Sequence, residues 1–169
     1  MAKKIKLIIM DVDGVLTNGT VFYSSTGESI KLFCVRDGFF IKHVGPEAGL
    51  DFAIITGGFG EIVRTRAEVL GIDKIYAGHV DKESAYYEIK NSMDLEDEEI
   101  AYIGDDWFDW SAMQHAGLKA APSDADPEIL KRVDFVTKAV GGKGAVREFI
   151  YYILKRDNKL DTVKDRYLD

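Results

Sequence analysis

Cysteine is almost absent from this chain, with Cys34 the only one. One thiol excludes an intrachain disulfide framework and a cysteine-rich zinc site, and its expected role is that of a small buried hydrophobe. Blocks of Lys or Arg are also missing, and the net charge is −7. That balance argues against nucleic acid or an anionic membrane surface as partner. No apolar run reaches membrane-spanning length. The opening MAKKIK leads into too few apolar residues for a signal peptide and runs directly into a first strand. The expectation is a soluble protein of the cytoplasm. No internal repeat, low-complexity tract or linker divides the 169 residues, which suffice for one domain, 1–169, with a single substantial core.

What the chain does have is a stretch around which the rest is organised, Leu7 to Gly19. Leu7-Ile8-Ile9-Met10 reads as a buried parallel strand that stops abruptly at Asp11-Val12-Asp13-Gly14. In an open α/β sheet, ligands sit beyond the carboxyl ends of strands, so two acids there occupy a functional position. Residues i and i+2 of a strand share a face, which starts both carboxylates on one side. Crowded carboxylates repel unless a cation or a shared proton relieves them. A hard, oxygen-seeking ion such as Mg²⁺ is one solution. An Asp-Gly turn capping a core strand is the plainer alternative; it explains Gly14 but not both acids.

Downstream, Thr20–Tyr23 and Ser29–Val35, separated by a Ser-Ser-Thr-Gly turn, read as a β-hairpin over 20–35. A two-stranded ribbon is marginal alone and needs burial against the body or another subunit. A helix is expected over 39–48 with Pro46 in its last turn or at a kink. Then come a strand over 49–55 ending in Thr56-Gly57-Gly58, a helix over 61–70 closed by Gly71, and a strand over 74–77. A helix over 81–93 with Asp81 as N-cap precedes a strand over 99–103 that ends in Gly104-Asp105-Asp106. A helix to Gln114, the segment Leu118–Ala121, a helix near 127–132, Phe135–Thr137 and a closing helix over 145–154 complete the body. The charged tail, 155–169, is expected to fray. Alternating strands and helices predict an α/β fold, a Rossmann-like doubly wound parallel sheet with a β-hairpin inserted after the first strand.

Thr56, Lys82, Asp105 and Asp106 each follow a strand or open a helix, as Asp11 and Asp13 do. Singly, each has an ordinary explanation: Thr56 a helix cap, Lys82 a solvated lysine, the Asp pair a turn. In a parallel sheet they converge at one edge, and together they are equipment for phosphoryl transfer: a carboxylate nucleophile, acids for a metal and donors for phosphate oxygens.

These residues resemble the four motifs of the haloacid dehalogenase superfamily, here DVDGV, Ile54-Ile55-Thr56, Lys82 and GDDWFD. Together with VRDG, IITG, AGLKAAPSDA and GGKGAVRE they resemble its 3-deoxy-D-manno-octulosonate 8-phosphate phosphatase family, from Ile5 to about Tyr152. The resemblance implies Asp11 as nucleophile and Asp13 as general acid and base. It implies Thr56 and Lys82 on the phosphoryl oxygens, and Mg²⁺ held by Asp11, the Asp13 carbonyl and Asp105, with Asp106 contributing from farther out. Asp109 is expected to orient the acidic loop. Gly57, Arg66, Lys143 and Arg147 are the candidate substrate-binding positions, Arg66 by reaching into a neighbouring subunit's site.

The insertions after Gly19 and Thr56 are too short for a cap domain, so the resemblance implies a homotetramer in which the hairpins assemble and a neighbour closes each site. The substrate implied is a small sugar-acid phosphate. Two features depart from the family. Its octulosonate members carry arginine after the Thr-Gly of the second motif and nonulosonate relatives carry glutamate, whereas Gly58-Phe59-Gly60 stands here. Phe40 stands where the family usually has a small residue, and Trp107, Phe108 and Trp110 make the fourth motif unusually aromatic, with packing the expected role and lining of the sugar pocket the alternative. The alternatives are therefore a nonulosonate (sialic-acid-like) 9-phosphate phosphatase, or a non-catalytic assembly module like those fused to sialate cytidylyltransferases.

Overall fold

In the computed structural model, β1 (Leu7–Met10) is the axis of a six-stranded sheet ordered β5-β4-β1-β6-β7-β8. The structure describes residues 3–58, 60–78 and 81–168; Phe59, part of the second-motif departure, lies outside them. The other strands are β4 (Asp51–Thr56), β5 (Lys74–Ala77), β6 (Ile100–Ile103), β7 (Leu118–Ala121) and β8 (Phe135–Val136). Every pairing in this sheet is parallel. All four β1 side chains are buried, because helices cover both faces and an unbroken apolar run is then the favoured strand sequence.

Alternation along the strands sends side chains into two cores. Ile8, Met10, Ile54 and Ile103 pack under α3 (Glu61–Leu70) and α7 (Ala145–Arg156) through Val63, Ala67, Phe149 and Ile153. Leu7, Ile9, Ile55 and Tyr102 face α4 (Glu83–Ser92), α5 (Trp107–Met113) and α6 (Pro127–Leu130) through Tyr86, Ile89, Met113 and Ile129. The chain leaves β1 for β4 and β5 on one side, then returns to β6 on the other. The switch point is therefore the β1/β6 seam, where Asp11 and Asp105 emerge.

A separate antiparallel ribbon, β2 (Phe22–Ser24) and β3 (Gly27–Ile30), follows the first loop. Its strands are shorter than the sequence suggests. Past Ile30 the chain runs back to the body, with Lys31 buried, and enters α1 (Val35–Phe39). A wider turn, Phe40–Val44, leads into α2 (Gly45–Glu47), with Pro46 in the final turn. Gly71 closes α3 in the left-handed region, as anticipated. At α4 the cap is shared: Lys82 occupies the N-cap position and Asp81 Oδ1 accepts the Glu83 N–H at 3.1 Å.

The tail differs from expectation. Residues 155–169 do not fray through the described residues but form α8 (Leu160–Leu168). Leu160 and Val163 join the core and Tyr167 sits edge-on to Phe39 at 5.4 Å. Three apolar residues at spacings of three and four form a stripe that the surrounding charges obscure.

Candidate active site

The loop after β1 is shaped by close approaches. Asp11 N–H donates to the Ile103 carbonyl at 3.1 Å, continuing the β1–β6 pairing past the strand end. Gly14 has φ of +89°, and a Cβ there would stand 2.0 Å from Asp105 Oδ2. Only glycine satisfies both conditions. From behind, the 141–144 loop backs this turn, so closely that a Cβ on Gly141 would meet the Gly14 carbonyl at 1.9 Å. The glycine-rich segment thus buttresses the Asp11 loop.

Lys82, with 2% of its side chain exposed, lies 2.9 Å from Asp11 Oδ1 and 2.8 Å from Asp109 Oδ1. Toward Asp11 its angle is poor for a hydrogen bond, so Oδ1 is a buried acceptor with an ion-pair neighbour but no hydrogen-bond partner. Asp109, in contrast, is saturated. Its Oδ1 accepts from Lys82 and the Tyr102 hydroxyl, and its Oδ2 accepts the Asp105 and Asp106 N–H groups. A carboxylate so engaged orients its neighbours. Although Asp11, Asp105 and Asp109 offer oxygens within 4.8 Å of one another, Asp109 has no direction left for an ion.

Burial pushes the Asp11 carboxyl up to about 7, with Asp109 adding to it and Lys82 opposing. Burial likewise raises Asp105 to about 8, reinforced by Asp109, Asp11 and Asp106. For Lys82, burial alone would lower the ammonium, but Asp109 and Asp11 overcome it and hold it above its ordinary value. The donor set is thus hard, anionic and short of cations, with an orphaned carboxylate oxygen facing in; a divalent magnesium fits it. The chain's metal-holding groups would be Asp11, Asp105 and the main chain at Asp13.

A cavity of 410 Å³ opens over this cluster, lined by Asp11, Asp13, Gly19, Thr56, Gly57, Gly58, Lys82, Asp105, Asp106 and Phe108. Thr56 ends β4 with 1% exposure, and its Oγ1 accepts the Gly58 N–H at 3.3 Å. Asp106 lines the cavity, yet its Oδ1 accepts the Trp107 N–H at 2.6 Å and caps α5. Phe108 is the aromatic that enters the cavity rather than packing; Trp110 packs on the core, and Trp107 donates to Asp126 at 2.9 Å.

The other candidate positions lie apart within one chain. Arg66 is over the Phe33 ring at 5.4 Å, in a shallow groove beside the base of the hairpin. Arg147 stacks on Phe40 at 5.1 Å in a larger apolar groove of 580 Å³ between α1, α7 and α8, and its N–H donates to Asp37 Oδ1 at 2.7 Å. Lys143 is exposed on the glycine loop and lines neither cavity. Missing from the sequence reading were Tyr102, a buried-strand tyrosine whose hydroxyl needed a partner, and Lys31, whose Nζ donates to Asp13 Oδ1 at 2.5 Å. A lysine inside the apolar run Ile30–Val35 was the available signal.

A buried aspartate beside a lysine, a hydroxyl and a second acid, at the switch point of a parallel sheet, is an arrangement suited to phosphoryl transfer. Residues 52–150 match the family of haloacid dehalogenase-like hydrolases. A 3-deoxy-D-manno-octulosonate 8-phosphate phosphatase, KdsC, from Yersinia pestis is 42% identical over 160 residues, 95% of this chain and 85% of that protein. The Moraxella catarrhalis phosphatase of that name, solved with magnesium, phosphate and KDO, superposes with a TM-score of 0.92 at 37% identity, covering 98% of this chain and 95% of that one. The cobalt-bound enzyme from Haemophilus influenzae gives 0.90 at 39% identity, covering 94% and 92%. The chain belongs to the 3-deoxy-D-manno-octulosonate 8-phosphate phosphatase family of haloacid dehalogenase-like hydrolases. It is a phosphoric monoester hydrolase, and among the described residues no helix is long and apolar enough to cross a membrane.

Proposed function

We propose that this chain hydrolyses 3-deoxy-D-manno-octulosonate 8-phosphate to the free sugar acid and phosphate. The observation that carries the reading is Asp11, buried with a hydrogen-bond-free oxygen between Lys82 and Asp105. The Asp11 carboxylate attacks phosphorus and becomes an aspartyl-phosphate. Thr56 and Lys82 hold the phosphoryl oxygens, and Lys82 offsets charge where it accumulates. Asp13 gives a proton to the departing sugar oxygen, then takes one from the water that hydrolyses the acyl-phosphate. Mg²⁺ would be held by Asp11, Asp105 and the main chain at Asp13, where it would supply charge neutralisation.

With no cap domain over the cavity, the proposal includes a homotetramer. Its support is the ribbon and the segment after it, where Tyr23 is 75%, Leu32 61% and Val35 82% exposed. In that assembly, a neighbour closes the site and Arg66 serves the adjacent subunit's sugar carboxylate. Lys143 and Arg147 remain candidates only for contacts across subunits. The lone free thiol, Cys34, suits the reducing cytoplasm where we place the reaction.

Gly58 keeps one second reading: it leaves the cavity without the side chain by which the family distinguishes substrates, so a nonulosonate 9-phosphate is the competing sugar. The assembly-module reading is disfavoured, since such a module needs neither Asp11 nor Lys82. The test is phosphate release with Mg²⁺ from octulosonate 8-phosphate, nonulosonate 9-phosphate, hexose phosphates and an aryl phosphate. A preference of about a hundredfold for the octulosonate ester, about 2.7 kcal/mol of transition-state discrimination, is expected. A comparable preference for the nonulosonate would reassign the substrate; no hydrolysis at all would sink the enzyme reading.

A further inference from the structure

Among the described residues, the contacts that hold the Asp13 carboxyl fall on one oxygen. Lys31 Nζ donates to its Oδ1 at 2.5 Å, and Thr17 Oγ1 approaches the same atom at 3.4 Å. The other oxygen, Oδ2, is the one that faces Gly58 on the cavity wall, where an added Cβ would lie 3.3 Å from it. The Lys31 ammonium is itself held fast, with 1% of its side chain exposed against 30% for Asp13. It sits one residue beyond β3, at the base of the ribbon. No buried lysine is needed there for packing, since an apolar residue would fill the same space without desolvating a charge.

We infer that Lys31 is a positioning residue: it pins Oδ1 of Asp13 so that Oδ2 is presented to the leaving-group oxygen, and thereby ties the seating of the ribbon to catalysis. This rests on the phosphatase reading above. Lys31 does not line the cavity over the acidic cluster; it acts through Asp13. A carboxyl free to rotate about its χ angles spends much of its time misdirected, and small misplacements of a reacting group are costly in rate.

The dependence on leaving group isolates this role. An alkyl sugar oxygen needs a proton as its P–O bond breaks, whereas nitrophenolate departs without one. Single-turnover release of the leaving group, octulosonate or nitrophenolate, which precedes hydrolysis of the aspartyl-phosphate, is measured with Mg²⁺ in full-length wild type, Lys31→Met and Lys31→Arg, using octulosonate 8-phosphate and nitrophenyl phosphate. Lys31→Met is expected to lower the ratio of sugar-ester to aryl-ester rates by about tenfold or more, in kcat rather than KM. Lys31→Arg, which keeps a donor and a charge, should return the ratio to within about threefold of wild type. Should Lys31→Met fail to fold, Lys31→Gln carries the same comparison. Equal loss on both esters, or an unchanged ratio, would overturn the inference while leaving the phosphatase reading intact. Wild type inactive on both esters would overturn that reading instead.

Discussion

Asp11 is kept where its charge is opposed by burial and by Asp109, so in the absence of a cation its ionised form is disfavoured in the native fold. Removing the charge and removing its counter-charge should therefore act in opposite directions. Asp11→Asn is expected to abolish turnover and, in metal-free protein near neutral pH, to raise stability by about 1 kcal/mol or more. Lys82→Met leaves Asp11 and Asp109 facing each other without a cation, and should destabilise by about 3 kcal/mol. Urea unfolding in EDTA measures both. An Asp11→Asn variant less stable than wild type would mean that the carboxylate is not strained. The same residues explain how the site divides into readable and unreadable parts. Asp11, Thr56 and Asp105 were legible because each stands at the end of a buried strand or within two residues of it, and topology alone brings strand ends together. The link from Lys31 to Asp13 was not, because it spans 18 positions and depends on how the ribbon folds back.

Among the elements, four of the sheet's six strands, β1, β4, β5 and β6, were legible, while Leu118–Ala121 and Phe135–Val136 carried no assignment. Runs such as Leu7–Met10 and Ile100–Ile103 are buried on both faces and carry no polar interruption to confuse their period. α8 was not, since Leu160, Val163 and Tyr167 are outnumbered by charges and their stripe gains meaning only against Phe39 and Tyr151. The ribbon lies between these cases: its strands were foreseen, and in the proposed tetramer its partner would be another subunit. Phe22 at 50% and Ile30 at 51% exposure add to the apolar surface on β2 and β3 that water should not meet. Phe22→Ser combined with Leu32→Ser is expected to shift the protein from tetramer toward monomer by light scattering at micromolar concentration. Turnover should fall with the loss of assembly and recover partly as concentration rises, the behaviour of a site completed by mass action. A wild type that is monomeric throughout that range would remove the tetramer from the proposal.

Across the whole molecule, an acidic chain places its most crowded carboxylates where the two layers of helices meet the sheet's switch point. Asp11 and Asp105 move from 3.8 to about 7 and about 8, and burial raises Asp37 in the same direction. Without metal, the native state then binds more protons than the unfolded chain between about pH 4 and pH 8, so stability must fall as pH rises through that window. Carboxylates shifted the other way, Asp97, Glu99, Asp126 and Glu128, lose their contribution only on acidification below about pH 4 and leave the window clear. Lys82, raised above its ordinary value, titrates beyond the window's upper edge. Magnesium reverses the slope at its source, because it binds the ionised carboxylates and displaces their protons. Thermal melts in EDTA should thus show a lower Tm at about pH 8.5 than at about pH 5.5, with added Mg²⁺ raising Tm more at the higher pH. A metal-free Tm that climbs with pH, or a magnesium effect of equal size at both, would contradict a site whose acids hold their protons until the cation arrives.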